Sequence, residues 1–289
     1  MRIAFIGLGN MGGPMAINLT NAGHDVAGFD LVAKPDGVTM VESVAHACAG
    51  ADVAITMLPN GAILRAVAKD VIGALPSGGV FIDCSTVDVS SARDVAADAD
   101  AAGLQMLDAP VSGGIKGAAD GTLTFMVGGD EAAFKTAKGL FDVMGQKAVL
   151  CGAAGSGQAA KICNNMILGV TMLGTCEAFA MADKLGLDRQ AMFDVVSTSS
   201  GYSWTMNAYC PAPGVGPESP ADNDYKPGFA AELMLKDLGL SQDAAASCGA
   251  DTPMGALAPE LYARYVNDDG GSGTDFSGVL PWLASRGRS

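Results

Sequence analysis

The chain has 289 residues, 49% of them hydrophobic and 17% charged, which favours about two compact domains and excludes a largely disordered chain. Its formal net charge of −14 argues against a nucleic-acid partner and against binding to an anionic membrane surface. With seven cysteines but no Cys-x-x-Cys pair, and only two histidines, neither a metal site of zinc spacing nor a histidine-dependent triad is expected. Because a strand follows Met1 directly and no run is typical of a membrane span, we expect a cytoplasmic protein without a membrane partner.

The first motif is a glycine-rich turn, Gly7-Leu-Gly-Asn-Met-Gly12, which lies between a predicted strand at 2–6 and a predicted helix at 13–19. In this context the glycines permit a tight turn, and the helix N-terminus offers N–H groups and a positive dipole to a pyrophosphate. Asp30 ends the second predicted strand, where a carboxylate can accept a ribose hydroxyl. The pattern predicts an NAD site formed by Gly7, Leu8, Gly9, Asn10, Met11, Gly12 and Asp30.

The alternation of strands and helices continues to about residue 160. Apolar runs at 52–57, 79–83 and 104–108 are typical of buried parallel strands. Because ligands bind at the carboxyl ends of such strands, we expect the residues that follow these runs to face the cofactor and substrate. Ser112-Gly-Gly114 is either an ordinary tight turn or a backbone nest for a carboxylate. The residues at these strand ends are Leu58, Pro59, Ser85, Thr86, Ser112, Gly113 and Gly114.

A long helix is predicted to begin in the segment 155–165 and to end near Gly186. It is apolar nearly all round, which predicts that the helix is buried. A buried lysine is costly unless it is paired or used, and Asn165 follows Lys161 by one turn on the same face. Lys161 could instead extend from the first turn to solvent, so this segment alone leaves a catalytic and a structural role open.

These elements predict an α/β fold in two domains. Residues 1–160 form a Rossmann-type, doubly wound parallel sheet, and residues 161–289 form an all-α substrate and oligomerisation domain, joined by the long interdomain helix. The Pro/Gly-rich stretch at 199–220 predicts an irregular loop, and the segment 268–273 predicts a flexible link to a short C-terminal segment.

Four motifs together are similar to those of the β-hydroxyacid dehydrogenases, and within that family to the branch that oxidises 3-hydroxyisobutyrate. They cover residues 5–15, Asp108-Ala-Pro-Val-Ser-Gly-Gly114 with 121–123, Gly155-Ser-Gly-Gln-Ala-Ala-Lys-Ile-Cys-Asn-Asn165, and Lys236-Asp-Leu238. The resemblance extends over nearly the whole chain. One departure is a shorter link between Asp30 and Val53, which predicts a shortened helix beside the adenosine.

The resemblance implies NAD-dependent oxidation of 3-hydroxyisobutyrate to methylmalonate semialdehyde, a step of valine catabolism. It also implies a homodimer or homotetramer. Lys161 would be the catalytic general acid/base, Asn165 would help to hold the substrate, and Lys236 would lie near the nicotinamide in contact with substrate and cofactor. The substrate carboxylate would be bound by Ser112, Gly113 and Gly114, and the cofactor would be lined by Leu58, Pro59 and Thr86.

Other hypotheses stay open at this point. The chain could be a sister enzyme acting on tartronate semialdehyde, glyoxylate or succinate semialdehyde, or a cofactor-binding protein that has lost catalysis. The presence of both Lys161 and Asn165 argues against the loss of catalysis. The chain contains no Tyr-x-x-x-Lys pair, which excludes a short-chain dehydrogenase.

Overall fold

The structure, a computed structural model, describes residues 1–286. The chain divides into two compact units, one of residues 1–161 and a second that begins at Ile162. The first unit combines a sheet with helices, and within the described residues the second unit is built from helices and loops.

The first unit is organised by its sheet. Within the described residues the strands are β1 (Arg2–Ile6), β2 (Asp25–Phe29), β3 (Thr39–Met40), β4 (Val53–Thr56), β5 (Val80–Asp83), β6 (Gln105–Asp108), β7 (Val111–Ser112), β8 (Leu123–Gly129) and β9 (Gly145–Gly152). Their order is β3-β2-β1-β4-β5-β6-β8-β7, with β9 beside β8. From β3 to β6 the neighbours are parallel, and the order reverses direction beside β1, which confirms the predicted doubly wound core.

The helices of this unit cover both faces of the sheet. They are α1 (Gly12–Asn21), α2 (Val44–Cys48), α3 (Gly61–Ala74), α4 (Val89–Ala101), α5 (Gly114–Asp120) and α6 (Glu131–Met144). Asn60, Asp88 and Asp130 cap α3, α4 and α6 by accepting hydrogen bonds from first-turn N–H groups. One apolar core packs strands against α1, α5 and α6, and another packs them against α2, α3 and α4. The five-residue α2 agrees with the short link after Asp30.

The sheet departs from the predicted all-parallel arrangement at β8. This strand pairs antiparallel with β6, with Asp108 opposite Gly128, and antiparallel with β7. A parallel neighbour would require the chain to return to the opposite end of the sheet. The short α5 instead leaves the chain at the carboxyl end of β6, so β8 runs back from there. The sheet is therefore mixed, with its parallel part on the cofactor side of the predicted site.

The second unit contains α7 (Ser156–Leu185, which starts in the first unit), α8 (Arg189–Val196), α9 (Trp204–Asn207), α10 (Ala231–Cys248), α11 (Pro253–Ala263) and α12 (Val279–Ser285). A π-helical turn, Arg264–Asp268, extends α11. The core of the second unit includes Met172, Phe179, Met234, Tyr262 and Phe276. The structure agrees with the prediction of an all-helical C-terminal part.

The prediction that α7 is buried holds for one face of the helix and not for the other. Met172 and Phe179 are fully buried, but Ile167, Met181 and Leu185 are 60%, 61% and 75% exposed. The buried and exposed residues recur on opposite stripes because 3.6 residues make one turn. By length and composition α7 could also cross a membrane. This is weak evidence, because core helices of soluble proteins meet the same test.

The segment 268–273, predicted as a flexible link, is held by hydrogen bonds. The Asp269 carboxylate accepts from the Trp282 indole N–H at 2.8 Å. The Gly273 N–H donates to Glu232 at 2.6 Å. Trp282 lies 13 residues and Glu232 lies 41 residues from its partner in sequence, and composition gives no sign of either bond.

Asp275 joins the Pro/Gly-rich loop to the C-terminal segment. This carboxylate is fully buried. One oxygen accepts from the Tyr209 hydroxyl at 2.8 Å and from the N–H groups of Gly228 and Phe229 at 3.0 and 2.9 Å. The other accepts from the N–H and hydroxyl of Ser277. A buried carboxylate with this many donors fixes the segments that supply them.

Candidate active site

The glycine-rich turn has the shape that its motif predicts. Gly7 has φ +91°, in the left-handed region, and a Cβ there would collide with the carbonyl of Met57. A Cβ on Gly12 would collide with the carbonyl of Gly7. By contrast, a Cβ on Gly9 would meet nothing within 4 Å. The turn is therefore closed on its inner side and open at Gly9 beside the N-terminus of α1, which fits the approach of a pyrophosphate.

Asp30 connects the end of β2 to this turn. One carboxylate oxygen accepts from the Leu8 N–H at 2.7 Å, and the other accepts from the N–H groups of Val32 and Ala33 at 2.8 Å. Partial burial acts to raise the pKa of Asp30, but the three backbone hydrogen bonds outweigh it and lower the pKa. The carboxylate is thus held ionised at the position predicted for the ribose, and the adjacent Leu31 side chain is 88% exposed.

A buried polar network joins the carboxyl ends of β4 and β5, and sequence reasoning did not assign Asp83 to it. One Asp83 oxygen accepts from the Thr56 hydroxyl at 2.7 Å and from the Ser85 hydroxyl at 2.5 Å. The Ser85 hydroxyl in turn accepts from the Leu58 N–H at 2.8 Å. The network therefore fixes Leu58, which is half-buried and precedes the exposed Pro59. The only sequence signal was the position of Asp83 at the end of its strand.

Asp83 carries an electrostatic cost. It is fully buried, and its second carboxylate oxygen has no hydrogen-bond partner. Burial raises the pKa of Asp83 to about 6, against the lowering effect of the Ser85 and Thr56 hydrogen bonds, and the charge of Asp108 adds to the rise. Asp108 is the register partner of Asp83 on β6. Two carboxylates therefore lie side by side at the carboxyl ends of the central strands.

Asp108 caps the N-terminus of α7. Its two oxygens accept from the Gly155 N–H at 2.7 Å and from the Gln158 N–H at 2.9 Å. Burial raises the pKa of Asp108 although these backbone N–H groups act to lower it. The cap comes from a strand instead of the residue before the helix, so α7 is fixed to the sheet where it begins.

Lys161 lies on the second turn of α7, and its side chain is buried, with 8% exposure for the residue. The hypothesis that this lysine extends to solvent is therefore wrong. Asn165 follows one turn later on the same helix and is 1% exposed. A buried amine so close to a capped helix end, at the ligand-binding edge of the sheet, is a candidate proton-transfer group.

Ser112-Gly-Gly114 forms the end of β7 and the start of α5, a helix that the sequence analysis did not predict. Gly113 and Gly114 have φ +133° and +63°, which favours glycine at both positions. No side chain caps α5 at Gly113. The backbone N–H groups of this turn suit a carboxylate.

In the second unit, the buried carboxylate of Asp237 holds the side chain of Asn165. Asn165 Nδ2 donates to Asp237 Oδ2 at 2.5 Å, and Asn164 Nδ2 donates to Asn165 Oδ1 at 2.9 Å. Asp237 Oδ1 lies 3.5 Å from the Lys236 ammonium, which is partly exposed. Asp237 therefore orients the Asn165 amide, a role that sequence analysis missed although Asp237 stands in the Lys236 motif.

The remaining residues that were predicted to bind the cofactor differ in their exposure. Thr86 is half-buried after β5, while Gly9 and Asn10 are exposed and Met11 is half-buried at the start of α1. Among residues 1–286, no group of three or more His, Cys, Asp or Glu side chains is placed to hold a metal ion.

Comparison with known proteins gives the family of the chain. Residues 2–152 match the NAD-binding domain of 6-phosphogluconate dehydrogenase, and residues 155–283 match the NAD-binding domain of NADP-dependent 3-hydroxyisobutyrate dehydrogenase. A probable 3-hydroxyisobutyrate dehydrogenase of Mycobacterium tuberculosis is 49% identical over 98% of each chain. An NAD-dependent L-serine dehydrogenase of Pseudomonas aeruginosa is 46% identical over 96% of each chain. The structure of Mycobacterium tuberculosis 3-hydroxyisobutyrate dehydrogenase with L-serine matches with TM-score 0.92, 49% identity and coverage of 97% and 98%.

The fold and the glycine-rich turn define an oxidoreductase that uses a nicotinamide dinucleotide. With these matches over nearly its full length, the chain belongs to the β-hydroxyacid dehydrogenase family, together with the 3-hydroxyisobutyrate dehydrogenases. The predicted family and NAD cofactor are confirmed; the preference for NAD over NADP stays a prediction.

The raised pKa of Asp83 predicts a dependence of stability on pH. Because the pKa rises from 3.8 to about 6 on folding, Asp83 stabilises the folded protein at low pH, and this contribution is lost as pH rises through 6. Relative to Asp83→Asn, the wild-type free energy of unfolding should fall by about 1.4 kcal/mol from pH 5 to pH 8. Denaturant titrations at both pH values measure it. The exposed Asp98→Asn is the control, and equal pH slopes in wild type and Asp83→Asn would contradict the assignment.

The position of Asp30 predicts a preference for NAD⁺ over NADP⁺. A 2′-phosphate would meet its fixed carboxylate, and lost hydrogen bonds with added repulsion should cost about 3 kcal/mol, or roughly a hundredfold in kcat/KM. Asp30→Asn keeps an acceptor for Val32 and Ala33 but removes the charge, and should reduce the NAD⁺ preference to about tenfold. Steady-state kinetics with both cofactors measure this, with the exposed Asp36→Asn as control. Wild-type protein that uses both cofactors equally well would show that Asp30 does not select.

Proposed function

We propose that this chain oxidises 3-hydroxyisobutyrate to methylmalonate semialdehyde with NAD⁺, with Lys161 as the general acid/base. The observation that carries the proposal is the burial of Lys161 on the second turn of α7, whose N-terminus is capped by Asp108. A role in valine catabolism rests on this choice of substrate. The relatives named 3-hydroxyisobutyrate dehydrogenase support it.

The reaction removes a hydride from the hydroxyl-bearing carbon and a proton from the hydroxyl. NAD⁺, when bound along the glycine-rich turn, supplies the hydride acceptor. Burial disfavours the charged ammonium form of a lysine, so the amine of Lys161 can accept the hydroxyl proton. In the reverse direction the same group returns the proton to the aldehyde oxygen. Proton transfer in both directions therefore requires the amine of Lys161 to be held close to the oxygen of the substrate.

Two other groups would orient the substrate. The hydroxyl of Ser112 and the N–H groups of the two glycines after it would bind the carboxylate. The Asn165 amide, held by Asp237, would present a fixed hydrogen-bonding group one turn after Lys161. Binding of the carboxylate at one place and the hydroxyl at another selects short β-hydroxyacids and excludes simple alcohols.

L-Serine is a second candidate substrate, because one relative is named an NAD-dependent L-serine dehydrogenase and one matched structure contains L-serine. L-Serine carries an ammonium group where 3-hydroxyisobutyrate carries a methyl group, and it shares the carboxylate and the primary hydroxyl. Comparing kcat/KM for the two acids separates the candidates. A higher value for L-serine would overturn the proposed substrate but not the class of reaction. The predicted homodimer or homotetramer stays a prediction, which light scattering of the purified protein would test.

The role of Lys161 predicts a specific loss of turnover. Lys161→Ala should lower kcat for 3-hydroxyisobutyrate by about 10²–10⁴-fold, because proton transfer loses its acceptor. NADH binding, measured by fluorescence titration, should change little. Lys184→Ala, an exposed lysine on the same helix, is the matched control and should keep wild-type kcat. Near wild-type turnover in Lys161→Ala would contradict the assignment of Lys161 as the general acid/base.

The carboxylate site predicts a change in KM. Ser112→Ala should raise KM for the hydroxyacid about tenfold, the effect of one hydrogen bond to a charged group, and leave NADH binding unchanged. Ser77→Ala, in an exposed turn of the same unit, serves as control. The hypothesis is rejected if KM is unchanged, or if the methyl ester of the acid is oxidised as efficiently as the acid.

A further inference from the structure

Gln158 holds the backbone on both sides of Thr86. Its side chain is fully buried. The amide Nε2 donates to the carbonyl oxygen of Ser85 at 2.7 Å, and the amide Oε1 accepts from the Val87 N–H at 3.1 Å. The two ends of one side chain are therefore bonded to the residues that flank the predicted cofactor-lining Thr86.

The backbone of Gln158 is fixed to a different strand. Its N–H donates to Asp108 at the end of β6, beside the bond from Gly155. There is no free space between this part of α7 and the sheet, because a Cβ on Gly157 would collide with the carbonyl of Met126. Gln158 is thus the residue at which α7 is attached both to β6 and to the loop after β5.

Lys161 follows Gln158 by three residues in the same helix, so the two side chains lie on neighbouring positions of one face. A helix is rigid over a single turn, and a displacement of Gln158 moves Lys161 with it. The loop that contains Thr86 and the Lys161 amine therefore share one anchor.

We infer that Gln158 is a positioning residue that sets the distance between the cofactor-lining loop at Thr86 and the proton-transferring amine of Lys161. The inference rests on the proposed function of Lys161. An amide suits this task, because it donates at one end and accepts at the other, whereas a carboxylate has no donor for Ser85 and an apolar side chain has neither group. Hydride transfer and proton transfer require the cofactor and the Lys161 amine to be correctly placed against the substrate at the same time. A displacement of about 1 Å can lower the rate about 10²-fold.

The test uses Gln158→Met, which has similar length and no hydrogen-bonding amide, in wild-type and Lys161→Ala backgrounds. In the wild-type background kcat should fall by about 10–100-fold, while KM for the hydroxyacid changes less than about threefold. In the Lys161→Ala background the same substitution should lower kcat by no more than about threefold, because the group it positions is absent. Gln190→Met, an exposed glutamine on α8, is the matched control.

Amide hydrogen exchange without cofactor gives a second readout. Gln158→Met should speed exchange at Val87 and, in the same variant, along residues 158–161, because the side-chain hydrogen bonds between the two segments are lost, while the backbone bond from residue 158 to Asp108 stays. Should this variant fail to fold, Gln158→Glu keeps the acceptor for the Val87 N–H and loses only the donor to Ser85, so it should give a smaller fall in kcat and a smaller change in exchange at Val87.

The outcomes separate the two hypotheses. Equal losses of kcat in both backgrounds, or unchanged kcat in Gln158→Met while Lys161→Ala is inactive, would overturn the positioning role and leave the proposed function standing. Wild-type turnover in Lys161→Ala would overturn the proposed function, and the positioning role would fall with it. Faster exchange at Val87 with unchanged exchange at 158–161 would also reject a shared anchor.

Discussion

The hydrogen bonds between Asp108 and the first N–H groups of α7 are the constraint on which the rest of the candidate site depends. A helix of 30 residues begins with unsatisfied N–H groups and the positive end of its dipole. A carboxylate at the end of a sheet strand satisfies both needs and fixes the helix at the sheet edge where ligands bind. Gln158 and Lys161 take their positions from this cap. The antiparallel β8 belongs to the same arrangement, because its Gly128 leaves room for Asp108 and the helix end.

The strand ends also show what function costs in stability. Asp83 and Asp108 are buried register partners, and burial raises the pKa of both carboxyl groups. A structure selected only for stability would avoid this pair. Here one carboxylate caps a helix and the other accepts from Thr56 and Ser85 and so fixes Leu58. The two carboxylates thus orient the residues at the carboxyl ends of the strands, although burying both of them is electrostatically unfavourable.

Local patterns in the sequence predicted the glycine-rich turn, Asp30 and the doubly wound core, because each depends on neighbours within a few tens of residues. The residues that organise the site depend on longer contacts. Gln158 bonds to Ser85, 73 residues away, and Asn165 bonds to Asp237, 72 residues away. No periodicity or spacing encodes such pairs. The reversal of β8 and the exposed stripe of α7 were missed for a related reason, since composition gives the apolar content of an element and not the direction of its neighbours.

The hydrogen bonds of Asp275 have a consequence for synthesis on the ribosome. The first unit is complete once residue 161 has emerged, but the buried carboxylate that closes the second unit is supplied near the end of the chain. Until then Tyr209 and Phe229 have no partner at this position, and the core of the second unit lacks Phe276 and Trp282. We expect the nascent second unit to be protease-sensitive while the first is already resistant, which pulse proteolysis of stalled chains would show. Between these two points the apolar side chains of the second unit are exposed, which makes the nascent chain prone to aggregation.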